Sequence, residues 1–255
     1  MELPGEHRSF SVMRQVDMAQ EPGEVWERFA VGLADMARDL LAQDSVQGTL
    51  DRVVEHATVL IRGCDEAGIL TVRRGEVHAL AATDDVVRLA DRIQEDLREG
   101  PCFDAVADRE QVYAIEDLRQ PHARWSRFAP ELRKLGMGSM MGFLLFTEDD
   151  ALGALNLYSR QPHTFDETAQ RAGWILASHA AVAFSASRTH AQLSHALETR
   201  HEIGEAMGIL MGRYGLSEDT AFKVLKKASQ DHNIKLREVA RQICETGDKP
   251  ESALE

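Results

Sequence analysis

The spacing of apolar residues predicts two helices in the first sixty residues of the chain. Apolar residues that recur every three or four positions predict the first helix, and they are Val25, Phe29, Leu33, Met36 and Leu40. The second helix is predicted to follow Ser45, a residue suited to capping, with the same spacing from Leu50 to Leu60. Both helices precede any predicted strand.

After residue 65 the pattern becomes that of strands, and it predicts two hairpins. The first pairs residues 66–72 with 76–82 around a turn that contains Gly75. The second pairs residues 140–146 with 151–158 around an acidic turn, which we interpret as solvated. Both hairpins predict antiparallel pairing.

The segments between and after the hairpins are predicted to be one strand and three helices. They are a strand at 111–115, helices at 84–99 and 123–135, and a long helix from Phe165. Gly100-Pro101 and Gly136 are expected to end the two shorter helices. Strands grouped in hairpins with helices between them indicate an α+β fold with an antiparallel sheet.

Residues 196–243 read as three short amphipathic helices separated by two tight breaks. We expect the interior of this unit to hold Leu210, Met211, Phe222, Leu225 and Ala228. A unit of this size is too small to be an enzyme alone, and it contains no obvious acid–base pair. We therefore expect an all-α output unit that the rest of the chain controls.

Charge and composition exclude some classes of protein. The net charge of −13 argues against a general polyanion binder, but residues 190–250 carry nine charges of each sign. Any nucleic-acid contact is therefore expected in the C-terminal part. No apolar run approaches the roughly 20 residues of a membrane span, and the N-terminus does not have the pattern of a secretory signal. We expect a cytoplasmic protein without membrane contact.

The three cysteines Cys64, Cys102 and Cys244 are scattered and lack the spacing of a zinc site or a disulfide framework. We therefore predict no metal site and a reducing compartment. Cys102 follows a proline and could act as a redox sensor, but a buried structural thiol is the more ordinary interpretation.

Several runs in the α+β region carry a family resemblance. They are Gly100-Pro101-Cys102, Ala105-Val106, Ile115-Glu116-Asp117-Leu118 and Leu152-Gly153-Ala154-Leu155-Asn156-Leu157-Tyr158. With these runs, residues 35–187 resemble a GAF domain, a sensor fold for small molecules. In the last run, a small residue resembles the family's position for tight strand packing.

The C-terminal region carries a denser resemblance. The matching residues are Arg200, Ile203, Ala206, Gly208 to Met211, Ser217-Glu218, Ala221-Phe222, Leu225, Ala228, Asn233, Lys235-Leu236 and Val239-Ala240. This region is similar to an ANTAR domain, a three-helix RNA-binding unit of bacterial antitermination regulators. Met207 departs from the polar or basic residue that the family often has there. The pairing of the two regions resembles the GAF–ANTAR regulators of actinobacteria.

The domain organisation expected is a flexible tail at 1–24, a sensor domain at 25–187, an RNA-binding domain at 188–248 and a tail at 249–255. No proline interrupts the chain between residues 166 and 213, so one helix could connect the two domains. Small and apolar residues recur along it, and we predict a homodimer through this helix. A softer break near Arg188, with two unrelated helices, is the alternative.

The resemblance implies RNA contacts from outward cations and one aromatic residue. These are Arg213, Tyr214, Lys223, Lys226, Lys227, Lys235, Arg237 and Arg241. Lys223, Lys226 and Lys227 share one helix face, and Tyr214 could stack on an unpaired base. Charge pattern alone favours an ordinary solvated face, and only the family resemblance favours RNA.

For the sensor domain, the resemblance implies a ligand between the sheet and its covering helices. The proposed lining residues are Phe103, Tyr113, Trp125, Phe128, Met140 and Phe143, each of which also suits an ordinary core. The pattern specifies no cofactor and identifies neither the small-molecule ligand nor a signalling partner that could act instead. No catalytic residue is predicted.

We therefore expect a sensor-controlled regulator that recognises RNA hairpin loops in leader transcripts and promotes antitermination. Two alternatives stay open on the residues alone. One is a DNA-binding regulator, because a three-helix unit can place a helix in the major groove. The other is a redox or ligand-sensing signalling protein that acts through Cys102.

Overall fold

The computed structural model describes residues 22–73, 76–101, 104, 112–147 and 151–247. The chain forms two compact units, residues 1–185 and 186–255. Within the described residues, no helix is both long enough and apolar enough to cross a membrane.

The first unit contains five strands and the helices around them, in the order of the chain. They are α1 (Pro22–Leu41), α2 (Val46–Leu60), β1 (Glu66–Arg73), β2 (Glu76–Ala82), α3 (Asp85–Leu97), β3 (Val112–Ile115), α4 (Phe128–Lys134), β4 (Ser139–Phe146) and β5 (Ala151–Ser159). A single helix, α5 (Glu167–Tyr214), continues beyond residue 185 into the second unit. The second unit then contains α6 (Glu218–Asp231) and α7 (Leu236–Thr246).

Side-chain oxygens placed before the first turn start several of these helices. The Ser45 hydroxyl accepts a hydrogen bond from the Gly48 amide at 3.0 Å and caps α2, as its sequence position predicts. Asp84 caps α3 in the same way, through the Val86 amide at 2.8 Å. Because these caps pair amides that have no partner within the helix, they fix where each helix begins.

The strands form one antiparallel sheet in the order β2-β1-β5-β4-β3. Both predicted hairpins are therefore confirmed, and β1 joins them by pairing with β5. Gly153 has a φ of +156°, and a Cβ there would lie 2.3 Å from the Leu70 carbonyl oxygen. A glycine is needed at this position, since a side chain would push β5 away from β1.

Alternation along the strands gives the sheet two apolar faces. One face, with Met141, Phe143 and Leu145 of β4, packs on α1, α2 and the first part of α5 to form the first core. The other face, with Met140 and Leu144 of the same strand, packs on α3 and α4 to form the second core. The sheet therefore lies between helices on both sides.

Several predicted boundaries differ from the structure by a few residues. Helix α1 begins at Pro22, three residues before the predicted start, because proline suits the first position of a helix. Helix α3 ends at Leu97, where Arg98 adopts a left-handed conformation, two residues before the predicted end. Residues 1–21 lie outside the described residues, and the tail predicted there stays a prediction.

The helix predicted at 123–135 is shorter than the sequence pattern indicated. Helix α4 begins at Phe128, after a turn over residues 124–127. A helix from residue 123 would place Pro130 in its interior, where the proline ring clashes with the carbonyl four residues earlier. Starting at Phe128 leaves Pro130 in the first turn, where a missing amide costs nothing.

Candidate functional site

The second unit folds around a small core to which all three of its helices contribute. Its fully buried side chains, here called the third core, are Ala206, Leu210, Ala221, Leu225, Val239, Ala240 and Ile243, with Ala228 nearly so. Met207 packs at the edge of this core, which accounts for an apolar residue at that position. The side chains that remain outside this core are available for contact with a partner.

The lysines of α6 form an exposed cationic face opposite the third core. Lys223, Lys226 and Lys227 are exposed, whereas Ala221 and Leu225 on the other side of the helix are buried. Lys223 pairs with Asp219 at 2.5 Å, one turn earlier. Within the described residues, Lys226 and Lys227 take part in no ion pair. Their charges are therefore available to an anionic partner.

The remaining predicted cations lie in more varied surroundings. Arg213 donates a hydrogen bond to the Gly247 carbonyl at 2.6 Å, and Arg241 pairs with Glu238. Arg237 is half-buried and contacts His195, while Lys235 is exposed at the start of α7. Because exposed ion pairs contribute little, Arg241 can exchange its partner at small cost. Arg213 is held more firmly, since the Gly247 carbonyl that it binds lies at the C-terminal end of α7.

Three residues of this unit differ from their predicted environments. Tyr214 is half-buried against the third core, with the Arg213 guanidinium 6.0 Å from its ring centre, so it exposes only part of its ring. Phe222, predicted to be core, is 41% exposed, and Met211 is 38% exposed. Phe222 lies roughly 60–120° around α6 from the buried Ala221, Leu225 and Ala228, at the side of the buried face. Helical spacing in the sequence therefore already predicted that Phe222 lies outside the core.

Helix α5 presents an exposed stripe over its second half. Leu193 and Leu197 are 59% and 58% exposed, and nothing lies within 4 Å of a Cβ placed on Gly204, Gly208 or Gly212. Several other apolar residues along α5 are packed within the cores of the two units. Among these, Leu176 and Ala180 are buried in the first core, and Leu210 is buried in the third.

The residues predicted to line a sensor pocket do not all share one side of the sheet. Tyr113, Trp125, Phe128 and Met140 lie together in the second core. Phe143 lies in the first core, where a Cβ on Gly173 of α5 would be 2.4 Å from its ring, so its assignment to the same pocket is wrong. Met140 and Phe143 are three residues apart on one strand and must face opposite sides.

Phe103 lies outside the described residues, but its neighbour Asp104 belongs to a polar and aromatic cluster beside the second core. The Trp125 indole donates a hydrogen bond to the Asp104 carboxylate at 2.7 Å, and the Arg124 guanidinium pairs with the same oxygen at 2.6 Å. The guanidinium lies 5.2 Å from the centre of the Tyr113 ring. The cluster fixes the Trp125 ring at the edge of the predicted pocket.

The second core also contains polar side chains that the sequence analysis did not select. Asp91 is 2% exposed, Gln94 and Asn156 are fully buried, and Tyr158 is fully buried beside them. Among the described residues, no hydrogen-bond donor reaches either carboxylate oxygen of Asp91. Burial raises the pKa of Asp91 to about 7. The sequence did indicate this burial, since Asp91 falls within the buried stripe of α3 that begins at Val87.

A surface cleft of about 520 Å³ lies elsewhere on the first unit and differs from the predicted pocket. Its lining includes Arg119, His122, Arg133 and Lys134, and none of the predicted pocket residues. Arg119 binds the Asp117 carboxylate through two hydrogen bonds and holds the pKa of that group well below its usual range. Some cations of this cleft are thus already paired with neighbouring acidic residues.

The described cysteines are not arranged for redox chemistry. Burial raises the pKa of the Cys64 thiol to about 12, which keeps it protonated and unreactive. Cys244 is half-buried, and burial raises its pKa as well. Cys102 lies outside the described residues. In the parts of the chain that the structure describes, no group of three acidic, histidine or cysteine residues is placed to hold a metal ion.

These features define a class of protein in which an α+β domain precedes a three-helix unit with a cationic face. The GAF domain family matches residues 43–185, more than half of the sequence, and the chain belongs to that family. The ANTAR domain family matches residues 191–243, so the second unit contains an ANTAR domain. Both resemblances predicted from the sequence are confirmed, and so is the α+β fold class.

A curated relative matches a short part of the chain. The transcriptional regulatory protein PdtaR of Mycobacterium tuberculosis is 38% identical over 56 residues, which amount to 22% of this chain. The match covers 27% of the relative, so the chain spans about a quarter of the length of the curated protein it matches.

Solved structures resemble the chain in fold at low sequence identity. The photosensory core module of a Stigmatella aurantiaca phytochrome has a TM-score of 0.56 at 11% identity, over 83% of this chain and 46% of the other. The GAF domain of a phosphoenolpyruvate-protein phosphotransferase from Coxiella burnetii has a TM-score of 0.52 at 18% identity. That match covers 65% of this chain and 98% of the other. At these identities the likeness concerns the fold alone.

Proposed function

We propose that the protein is a sensor-controlled RNA-binding regulator that promotes transcription antitermination by recognising hairpin loops in leader transcripts. The observation that carries this function is the exposed lysine face of α6, which lies within the ANTAR domain and opposite the third core. A face of this kind is open to a phosphate backbone without disturbing the fold. Binding would stabilise an alternative fold of the transcript, and no catalytic step is required.

Cations and an aromatic ring have different roles in the proposed RNA recognition. Lys223, Lys226 and Lys227 contact phosphates and position the RNA, which carries no sequence information by itself. Lys235, Arg237 and Arg241 of the neighbouring helix extend this contact, and Arg213 contributes through its exposed surface. Unpaired loop bases then stack on an aromatic ring, and the half-buried Tyr214 offers only part of its ring for this purpose.

Dimerisation would allow one protein to engage two hairpins. We propose that the exposed stripe of α5, with Leu193, Leu197, Gly204 and Gly208, contacts the same stripe of a second copy. Glycines spaced four apart permit close approach of two helix backbones. Two linked RNA-binding units would bind two hairpins with higher affinity, because binding of the first hairpin raises the effective concentration of the second site. A small molecule in the GAF domain can then control RNA binding by changing how the two ANTAR domains of the dimer are arranged.

A mobility-shift experiment tests the RNA function directly. The full chain is titrated with an RNA that contains two tandem hairpins, and duplex DNA of equal length serves as the competitor. We expect the RNA to shift and the duplex to compete poorly. A duplex that competes as well as the hairpins would favour the DNA-binding alternative.

The matched variants in the same experiment are lysine substitutions in the two units. Replacing both Lys226 and Lys227 with alanine is expected to weaken RNA binding at least tenfold. The control is Lys134→Ala, an exposed lysine of α4 in the first unit, which is expected to leave binding unchanged. Equal losses in the two variants would mean that bulk charge, and not the α6 face, determines binding.

A further inference from the structure

Residues 119–134 are basic, although the whole chain has a net charge of −13. They contain four arginines and one lysine against a single acidic residue, Glu131. Acidic side chains pair with four of these five cations in the structure. The pairs are Arg119–Asp117, Arg124–Asp104, Arg127–Glu99 and Lys134–Glu131. The fifth cation, Arg133, is exposed, and its guanidinium has no partner among the residues that the structure describes.

Arg133 lies on the wall of the surface cleft of about 520 Å³ in the GAF domain. Helix α4 contributes Arg133 and Pro130 to this cleft, and the segment between β3 and α4 contributes Arg119, His122 and Ser126. No acidic side chain of the described part of the chain lines it. Hydrogen-bond donors from separate parts of the chain therefore surround one cavity.

Arg119 is held in a fixed orientation at this cleft. The buried Asp117 carboxylate accepts hydrogen bonds from its Nε at 2.8 Å and from its Nη2 at 2.9 Å. A guanidinium has five N–H groups, and within the described residues its Nη1 has no partner. The Asp117 pair thus orients Arg119 and leaves N–H groups that can bind an oxygen atom of a ligand.

His122 adds a neutral donor to the same cleft. The Trp125 amide donates a hydrogen bond to its Nδ1 at 3.3 Å, so in the neutral ring the hydrogen is carried by Nε2. Burial and the charge of Arg124 lower the pKa of His122, which keeps the ring neutral near pH 7. The ring stacks on the Trp125 indole with 4.8 Å between ring centres. The imidazole is therefore fixed, with an N–H group to donate.

The chemistry of the cleft favours an anionic ligand that has several oxygen atoms. A phosphate monoester has three terminal oxygens and about two negative charges at neutral pH, so it can accept hydrogen bonds from several separate donors. The guanidinium fork of arginine matches phosphate geometry. Leu118, Pro121 and Pro130 supply apolar surface beside these donors, and the volume lies in the usual range for small-molecule sites. Phosphate with an organic body fits both parts.

We propose that this cleft, here called the Arg133 cleft, binds a small organic phosphate. Arg133 and Arg119 bind the phosphate oxygens, His122 donates from Nε2, and the proline rings contact the organic body. The site differs from the sensor pocket predicted at the sheet, because none of that pocket's residues lines the cleft. This inference rests on the sensor role proposed above and gives it a site and a ligand class.

The test is a calorimetric titration of the full chain at pH 7.5 and low salt with phenyl phosphate as the probe. Inorganic phosphate, benzoate and phenol are titrated for comparison. We expect phenyl phosphate to bind at least fivefold more tightly than inorganic phosphate or benzoate, and phenol not to bind. Failure of phenyl phosphate to bind overturns the proposal. Equal affinity for inorganic phosphate overturns the organic body, and equal affinity for benzoate overturns the phosphate class.

Matched variants locate the bound probe. Arg133→Gln is expected to weaken binding of phenyl phosphate at least tenfold, and because Arg133 is exposed its melting temperature should stay that of the wild type. The control is Arg28→Gln, an exposed arginine of α1, which packs on the opposite face of the sheet. Arg28→Gln should bind the probe like the wild type. Unchanged binding by Arg133→Gln, or equal losses in both variants, overturns the assignment to the cleft.

The RNA mobility shift is measured on the same preparations and separates this proposal from the RNA function. Hairpin binding without any binding of phenyl phosphate overturns the Arg133 cleft alone. Binding of phenyl phosphate that depends on Arg133, without hairpin binding, overturns the RNA function alone. A tenfold loss of hairpin binding by Arg133→Gln, measured without the probe, would assign the cleft to RNA and overturn the small-molecule site.

Discussion

The two units of the chain place their functional groups in opposite environments. In the GAF domain the polar side chains Asp91, Gln94 and Asn156 are buried, whereas in the ANTAR domain the candidates Lys226 and Lys227 are exposed. A buried site must be formed by the packing of the core itself. An exposed site can be changed without altering the fold that displays it.

This difference predicts how each unit responds to substitution. Changes at Asp91, Gln94 or Asn156 are expected to affect stability, because these side chains are packed inside the core. Changes on the α6 lysine face affect binding alone, since exposed substitutions usually alter stability by less than about 0.5 kcal/mol. Substitutions in each unit therefore test this contrast.

Truncation of the third core is expected to have the largest effect. Leu225 is fully buried, so Leu225→Ala should destabilise the second unit by about 2–5 kcal/mol, because it removes buried apolar surface and leaves a cavity. Urea unfolding followed by circular dichroism measures this destabilisation. Phe222→Ala on the same helix is the control and should cost clearly less, because Phe222 is 41% exposed. Equal destabilisation by the two variants would contradict the exposed placement of Phe222.

The buried carboxyl group of Asp91 is expected to make stability depend on pH. Burial raises its pKa from 3.8 to about 7, so the folded chain keeps a proton that the unfolded chain loses between these values. Stability should therefore fall as the pH rises through this window. Asp91→Asn removes this dependence, and its stability relative to wild type should increase by about 2–4 kcal/mol between pH 4 and pH 8.

Urea unfolding at a series of pH values measures that difference. Asp96→Asn is the control, because Asp96 is an exposed acid of the same helix. A difference between Asp91→Asn and wild type that stays constant from pH 4 to pH 8 would show that Asp91 is paired or solvated in the folded protein.

Single lysine substitutions on α6 are expected to change the salt dependence of RNA binding. Removing one lysine that binds a phosphate should reduce the slope of log affinity against log salt by about 0.7–0.9. Lys226→Ala and Lys227→Ala should show this reduction with unchanged thermal stability. Lys134→Ala in the first unit should keep the wild-type slope, and a reduced slope there would point to RNA binding outside the ANTAR domain.

The smallest expected effect concerns the cap of α6. The Ser217 hydroxyl accepts a hydrogen bond from the Thr220 amide at 3.3 Å, and Ser217→Ala should cost about 1 kcal/mol of stability in the second unit. RNA affinity should stay the same at temperatures where the unit is folded. Ser217→Asp restores an acceptor and should recover this stability, whereas no recovery would show that the cap does not contribute.

Local patterns in the sequence predicted most of the fold. The cap at Ser45 and both hairpins depend on residues near one another in the chain, and the structure confirms them. The lengths of α3 and α4 were less predictable. Arg98 ends α3 by adopting a conformation that few residues other than glycine favour, and Pro130 limits where α4 can begin.

The candidate sites were predicted unequally, for a physical reason. The shared exposed face of the α6 lysines follows from helical spacing, because the opposite face is apolar. Their assignment to RNA followed only from the family resemblance. Asp91 was missed because an acid in an amphipathic helix is normally assigned to solvent, although its position in the stripe of Val87 and Gln94 indicated burial. Phe143 was assigned to the wrong face because Met140 and Phe143 were grouped by chemistry without regard to strand alternation.

The glycines on the exposed stripe of α5 carry an energetic consequence for the helix. In a helix interior, glycine is about 1 kcal/mol less favourable than alanine, because it loses more backbone entropy on folding. A Cβ at Gly204 or Gly208 would meet no neighbour within 4 Å, so the single chain gains nothing in packing from either glycine. Gly204→Ala should therefore raise the melting temperature of a single chain and, where two helices touch along this stripe, weaken their association. A single added methyl group would thus stabilise the folded monomer and destabilise the dimer.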